Sequence, residues 1–145
     1  MEFTVEPMRA RDLGEVLALW RSTEGIGLDD DIDSPPRLAE YLKRNRGMSF
    51  VARSVDGVIV GAVLCGYDGR RGYLHHLAAE KNWRNQGIGS RLVAACLRNL
   101  KKAGIPKCNI FVFGHNKAGQ SFWTKNGWKR RGDLLVMQKL TEGRG

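Results

Sequence analysis

The run Trp83-Arg84-Asn85-Gln86-Gly87-Ile88-Gly89-Ser90 lies between an apolar, strand-like stretch (Tyr73 to Ala79) and a strongly periodic helix. A strand that ends in a basic, glycine-broken turn and then opens a helix is suited to hold a phosphate. The first turn of a helix presents unpaired N–H groups and a partial positive charge, both favourable to an anion. Glycines at 87 and 89 remove the side chains that would block close approach. The chain is therefore expected to bind a phosphorylated ligand.

Two familiar phosphate loops fail on spacing. A P-loop carries Lys and then Ser or Thr after its second Gly, whereas Gly89 is followed by Ser90 and Arg91. A dinucleotide fingerprint needs a third Gly three residues after the second, and that position is Leu92. What remains is Arg84-x-x-Gly87-x-Gly89. This pattern resembles the pyrophosphate loop of the GNAT superfamily of acyl-CoA-dependent N-acetyltransferases, which follows the fourth strand and opens the third helix. The surrounding order agrees. Leu77-Ala78-Ala79 is similar to the strand segment that lies along the pantetheine and acetyl group in that family. Downstream, Asn116-x-x-Gly119-x-x-Phe122-Trp123-x-x-x-Gly127-Trp128 resembles its second motif. The likeness covers essentially the whole chain and looks closest to small bacterial YpeA-like acetyltransferases, notably at Gly66-Tyr67-Asp68-Gly69.

A chain of 145 residues is read as one domain, 1–145, with room for a sizeable core. No apolar run reaches membrane-spanning length, and Met1-Glu2-Phe3-Thr4 lacks the charged-then-apolar pattern of a signal segment. Cys65, Cys96 and Cys108 have no metal-ligand rhythm and sit in apolar segments, so they read as buried thiols of a cytoplasmic protein with no metal site. The formal charge of +9 raises nucleic acid as a partner. The basic residues are scattered, however, and no aromatic-studded RNA signature interleaves them. Nucleic-acid binding stays a minor alternative, and the phosphates of CoA give part of the charge a simpler use.

Periodicity predicts strands at Phe3 to Val5, Phe50 to Ser54, Val58 to Tyr67, Tyr73 to Ala79 and Asn109 to Phe113. A closing hairpin is expected from Trp128 to Arg131 and Leu134 to Leu140 around Gly132-Asp133. Helices are expected from Leu13 through Trp20 to a stop at Gly25, after Ser34-Pro35, from Ile88 to a stop at Gly104, and after Asn116. The order β-α-α-β-β-β-α-β-α-β-β describes an α/β (α+β) fold and matches the GNAT order. The implied architecture is a mixed, mostly antiparallel central sheet of about seven strands with helices, four in all, on both faces.

The resemblance implies acetyl-CoA as co-substrate and an amine as acceptor. Backbone N–H groups from Gln86 to Ser90, which include those of Gly87, Ile88 and Gly89, would grip the pyrophosphate, with Arg84 and Asn85 beside them. A backbone N–H within Leu77 to Ala79 would stabilise the oxyanion, a contribution of ~3 kcal/mol in a dry site. Asn116 would contact the pantetheine arm, a role compatible with capping a helix. Many family members carry a Tyr that protonates the departing thiolate; here that position is Trp123, whose indole N–H is far too weak an acid.

His75 and His76 are adjacent on the motif strand, so alternation points them to opposite faces, one toward the acceptor cleft. In arylalkylamine N-acetyltransferases two catalytic histidines lie on this strand, and in register His75 matches one and Tyr73 the other. An imidazole suits a general base; the alternative is a packed strand histidine, the reading given to His76. The acidic loop Asp29, Asp30, Asp31 and Asp33, and the turn residue Asp68, would attract a cationic acceptor or else form solvated turns.

The function expected is acetyl transfer to a primary amine, on a small molecule or peptide, by direct attack in a ternary complex. No residue pattern supplies a covalent nucleophile. Two alternatives remain: a CoA-binding regulatory module that has lost catalysis, and a basic nucleic-acid or protein-interaction module. Homodimers are common in the family, which leaves one open here.

Overall fold

The computed structural model describes residues 1–142; residues 143–145, the last three of the expected domain, lie outside the described residues. The chain divides into two compact units, Met1–Phe113 and Gly114–Gly145.

The first unit holds one sheet and three helices. Strands β1 (Phe3–Pro7), β2 (Phe50–Ser54), β3 (Ile59–Tyr67), β4 (Arg71–Ala79) and β5 (Lys107–Ile110) lie in sequence order across it. The first four pair antiparallel, and β4 pairs parallel with β5. Helices α1 (Leu13–Arg21) and α2 (Pro35–Arg44) come before β2, and α3 (Ile88–Lys102) joins β4 to β5.

The middle strand β3 is buried from Ile59 to Gly66, as its unbroken apolar sequence requires when both sheet faces are covered. A side chain at Gly61 or Gly72 would run into Ile88 or Leu100 of α3. Those positions therefore face α3, and alternation turns Ala62, Leu64 and Tyr73 toward the other side. There, Val16, Leu17 and Trp20 of α1 and Leu38 of α2 close over Val51, Ala62, Leu64 and Ala78. Full burial of each large side chain contributes about 1.5–3 kcal/mol. Gly104 ends α3 with φ at 80°, as its place after the last apolar position predicted.

In the second unit, Asn116 caps helix α4 (Lys117–Lys125), its Oδ1 accepting the Gly119 N–H at 2.9 Å. Trp123 packs edge-on against Phe122 and Trp128, with ring centroids 5.1 and 4.9 Å apart.

The sheet corrects the expected count: it has five strands, not about seven. Gly132 and Asp133 do form a turn, braced by an Arg131–Asp133 ion pair at 3.0 Å, but neither flanking segment is a strand. Leu135 and Met137 are each 90% exposed. Alternating apolar residues make a strand only where a neighbouring strand completes the ladder, and a lone hairpin is marginal. Strand β5 also ends earlier than expected, at Ile110 rather than Phe113.

Candidate active site

Parting strands create the site. The parallel pairing of β4 with β5 runs from Arg71↔Lys107 to Leu74↔Ile110 and stops there. Beyond it, β4 continues to Ala79, held on its other side by Ala78↔Ala62 and Ala79↔Gly61 of β3. Among the described residues no strand pairs with the opposite edge of His75 to Ala79. Leu77, Ala78 and Ala79 therefore lie along an open strand edge, the backbone surface that an extended pantetheine arm can pair with.

At the end of this edge, a short 3-10 turn (Lys81–Trp83) leads into α3. Arg84 to Gly87 are exposed, with Asn85 at φ 63° and Gly87, the N-cap, at φ 83°. The ladder of α3 begins with Arg91 N–H donating to Gly87 O at 3.1 Å, which leaves the Ile88 and Gly89 N–H groups without helical acceptors. A Cβ at Gly87 would meet nothing within 4 Å, so the space in front of the helix start is open. Arg84 Nε reaches the Ala79 carbonyl at 3.4 Å, tying the loop's cation to the strand edge. These residues fit a pyrophosphate.

Within the parted edge, β4 carries a bulge. Leu64 pairs with His75 and Ala62 with Ala78, so His76 and Leu77 together stand opposite Val63. His76 sits at φ 57°, a left-handed conformation that costs a non-glycine residue of order 1–3 kcal/mol. This twist breaks the expected alternation. Both imidazoles lie on the α1–α2 side, their centroids 6.2 Å apart. His76 packs on the Trp20 ring at 5.0 Å, and its Nε2 is 3.2 Å from Asp33 Oδ2. His75 stands instead in a triangle of rings, stacked on Tyr73 at 6.3 Å and tilted against Phe111 at 6.1 Å, with Tyr73 and Phe111 themselves 6.1 Å apart. Burial, and then the neighbouring His76, lowers the His75 imidazole from its ordinary value, while Asp33 pulls the other way.

The acidic loop is wound on itself. Asp29 Oδ1 accepts the Asp31 N–H at 2.9 Å, and the buried Asp33 accepts the Asp29 N–H at 3.0 Å. Asp30 and Asp31 are exposed. Asp68 serves its turn, accepting both the Arg70 and Arg71 N–H groups at 2.8 Å, and these bonds hold its carboxyl below the usual range. The α1–α2 loop also meets the end of the β5 segment: a Cβ at Gly27 would lie 2.9 Å from Phe113 Cζ. Asn116 and Trp123 belong to the second unit, where Asn116 caps and Trp123 packs.

Sequence reasoning missed the Asp33–His76 pair and the place of Phe111 beside His75. No sequence signal marks a contact across 43 residues. Phe111 fell within the expected strand Asn109 to Phe113, but it lies just past the end of β5 and is 61% exposed. Among the described residues no group of three metal-ligating side chains comes together, and no helix is long and apolar enough to cross a membrane.

The open β4 edge runs into an exposed, glycine-broken helix start, which leaves room for an extended ligand with a phosphate at one end. The model of the acetyltransferase (GNAT) family matches residues 15–128, and the chain belongs to that family. It is an acyl-CoA-dependent acetyltransferase whose co-substrate is acetyl-CoA. An acetyltransferase of Sodalis glossinidius is 29% identical over 136 residues, 93% of each chain. One of Yersinia pseudotuberculosis is 28% identical over 130 residues, 89% of each. Among solved structures, the PaiA N-acetyltransferase of Thermoplasma acidophilum in complex with coenzyme A superposes with a TM-score of 0.78 at 21% identity, covering 89% of this chain and 91% of that one. AAC(6')-Iy, in complex with the bisubstrate analogue CoA-S-monomethyl-acetylneamine, gives 0.76 at 17% identity, covering 97% of this chain and 99% of that one.

Proposed function

We propose that this protein is an N-acetyltransferase that moves the acetyl group of acetyl-CoA to a primary amine by direct attack in a ternary complex. The observation that carries this reading is the half-buried His75 imidazole on the open β4 edge, on the strand that leads into the α3 phosphate loop. The thioester supplies an activated acetyl group. The chain's part is to hold it, to stabilise the oxyanion and to take the proton.

Ile88 and Gly89 N–H groups, with Gln86, Ser90 and Arg84, hold the pyrophosphate; Leu77 to Ala79 hold the arm, and one of their N–H groups donates to the oxyanion. His75, neutral to lower pH than a free imidazole, takes the ammonium proton of the acceptor. The amine nitrogen then bonds to the acetyl carbon, the C–S bond breaks to release CoA thiolate, and the second proton lost from nitrogen passes to water. Asn116 is assigned to the pantetheine arm. Trp123 keeps the packing of the family's Tyr without its acidity, so water protonates the thiolate.

The acceptor is read as a small molecule. The bisubstrate analogue bound to AAC(6')-Iy carries an acetylneamine, and this chain's exposed Asp30 and Asp31 suit a cationic amine. The free state of all three cysteines is in line with a cytoplasmic protein, and a family match running from residue 15 to 128 supports one acetyltransferase domain over 1–145. The alternative of a CoA-binding module without turnover rests on Trp123.

Thermal melting with acetyl-CoA, CoA or ATP, followed by CoA-thiol release with a panel of amines, tests the reading. Acetyl-CoA at a hundred times its Kd stabilises by ~2.7 kcal/mol. A shift with both CoA forms, little with ATP, and thiol release with one amine class are expected. A shift without turnover on any amine selects the module. Salt-sensitive oligonucleotide binding with no CoA shift selects the nucleic-acid alternative.

A further inference from the structure

His76 is a residue under two constraints at once. It occupies a left-handed conformation at the extra position of the β4 bulge, and its ring is gripped from three sides. Asp33, from the loop between α1 and α2, meets Nε2 at 3.2 Å; Trp20 of α1 covers the ring at 5.0 Å; His75 of β4 stands 6.2 Å away. Asp33 is itself buried, 6% exposed at its side chain, and also binds the Asp29 N–H at 3.0 Å. One carboxylate thus joins the acceptor-side loop to the bulge. A strained residue held by a buried ionisable partner implies that the surroundings maintain the strain. With the proton on Nε2, the imidazole donates to Asp33, and its lone pair stays on Nδ1.

We propose that Asp33 and His76 form a positioning clamp that holds β4 in its bulged form, so that His75 and the His76–Leu77 backbone are presented to the acceptor and the acetyl group. The clamp's role in catalysis rests on the acetyltransferase reading; its role in the strand does not. Without the clamp, His76 relaxes from its left-handed conformation and the bulge loses its fixed register. The open edge then no longer aims its N–H groups. Neither side chain touches the reacting atoms; both act through the β4 backbone.

The test is Asp33→Asn, which keeps the shape and removes the charge, with His76→Ala as a second variant that keeps the left-handed cost and deletes the ring. Three readouts are taken. Amide hydrogen exchange of residues 73–79 is expected to quicken at least about tenfold in both variants while α3 and β2 keep their protection. In steady-state kinetics, kcat falls about tenfold or more while the Kd for acetyl-CoA stays within about threefold, because the phosphate loop is untouched. In Asp33→Asn the acid limb of kcat/KM moves to lower pH, since the Asp33 charge raises the proton affinity of His75. A merely structural aspartate would not move that limb. Exchange unchanged in both variants overturns the clamp, whatever the turnover. A wild-type protein inert toward every amine, with the exchange effect present, overturns the acetyltransferase reading and leaves the clamp standing. If exchange quickens but kcat stays within twofold and the limb does not move, the positioning role is overturned.

Discussion

A Cβ placed on Gly61 of β3 would lie 2.5 Å from Cγ2 of Ile88, the first residue of α3. The middle of the sheet thus sets how closely the start of α3 can approach. Ile88 is 2% exposed and β-branched, so it cannot swing aside freely. Gly61→Ala is expected to destabilise the fold by about 1–3 kcal/mol, the usual cost of overpacking. It also displaces the start of α3, so acetyl-CoA binds more weakly. Melting temperature and calorimetric titration check the two effects together.

Gly87 separates backbone cost from ligand cost. Its φ is 83°, and so is that of Gly57, in the β2–β3 turn; neither has an atom within 4 Å of a would-be Cβ. Alanine at either position costs about 1–2 kcal/mol through the left-handed conformation alone. Only Gly87→Ala is expected to weaken acetyl-CoA binding, by about tenfold or more, because only Gly87 belongs to the proposed phosphate loop. Equal affinities in the two variants would remove Gly87 from the cofactor site.

His75 is expected to make both activity and stability depend on pH. Its folded proton affinity is lowered, chiefly by burial. The unfolded chain takes up the proton near pH ~6.5 and the folded chain only below that. Between those values the unfolded state holds more protons, so the His75 contribution is complete above pH ~6.5 and is lost as pH falls through the window. Wild-type melting temperature is expected to drop more steeply on acidification than that of His75→Gln. The acid limb of kcat/KM is expected to disappear, with most of the activity, in His75→Ala.

Trp123 offers a gain-of-function test. Trp123→Tyr replaces an indole N–H by a phenol that can protonate a thiolate, and the maximal rate is expected to rise about tenfold with acetyl-CoA affinity unchanged. The lost contacts with Phe122 and Trp128 cost about 0.5–1.5 kcal/mol, seen as a lower melting temperature. A rate that stays at the wild-type value assigns thiolate protonation wholly to water.

Most of the fold was legible because its elements carry local signals. The apolar stripe from Ile88 to Leu100, the Ser34-Pro35 helix start, the Asn116 cap and the Gly104 stop each act within a few residues, and each element formed where these signals stood. The glycine-broken turn before α3 was legible for the same reason: Gly87, the N-cap at φ 83°, acts through backbone geometry that neighbouring residues set. Trp128 to Leu140 carried the alternation of a hairpin yet formed no strand, because pairing depends on a partner that the pattern does not contain.

Alternation alone turned His75 and His76 to opposite faces, but a bulge against Val63 put both on one side. That bulge is a property of two strands in register, not of one. Asp33 looked like one carboxylate among four in a surface loop; burial and a bond to a histidine 43 residues away made it a different residue from Asp30 and Asp31. Local chemistry, which acts over a turn or a strand, could be read directly from residue order. The parted edge of β4, the strain at His76 and its aspartate partner arose only once distant segments shared one core, since each is a relation between chains of atoms that sequence keeps apart.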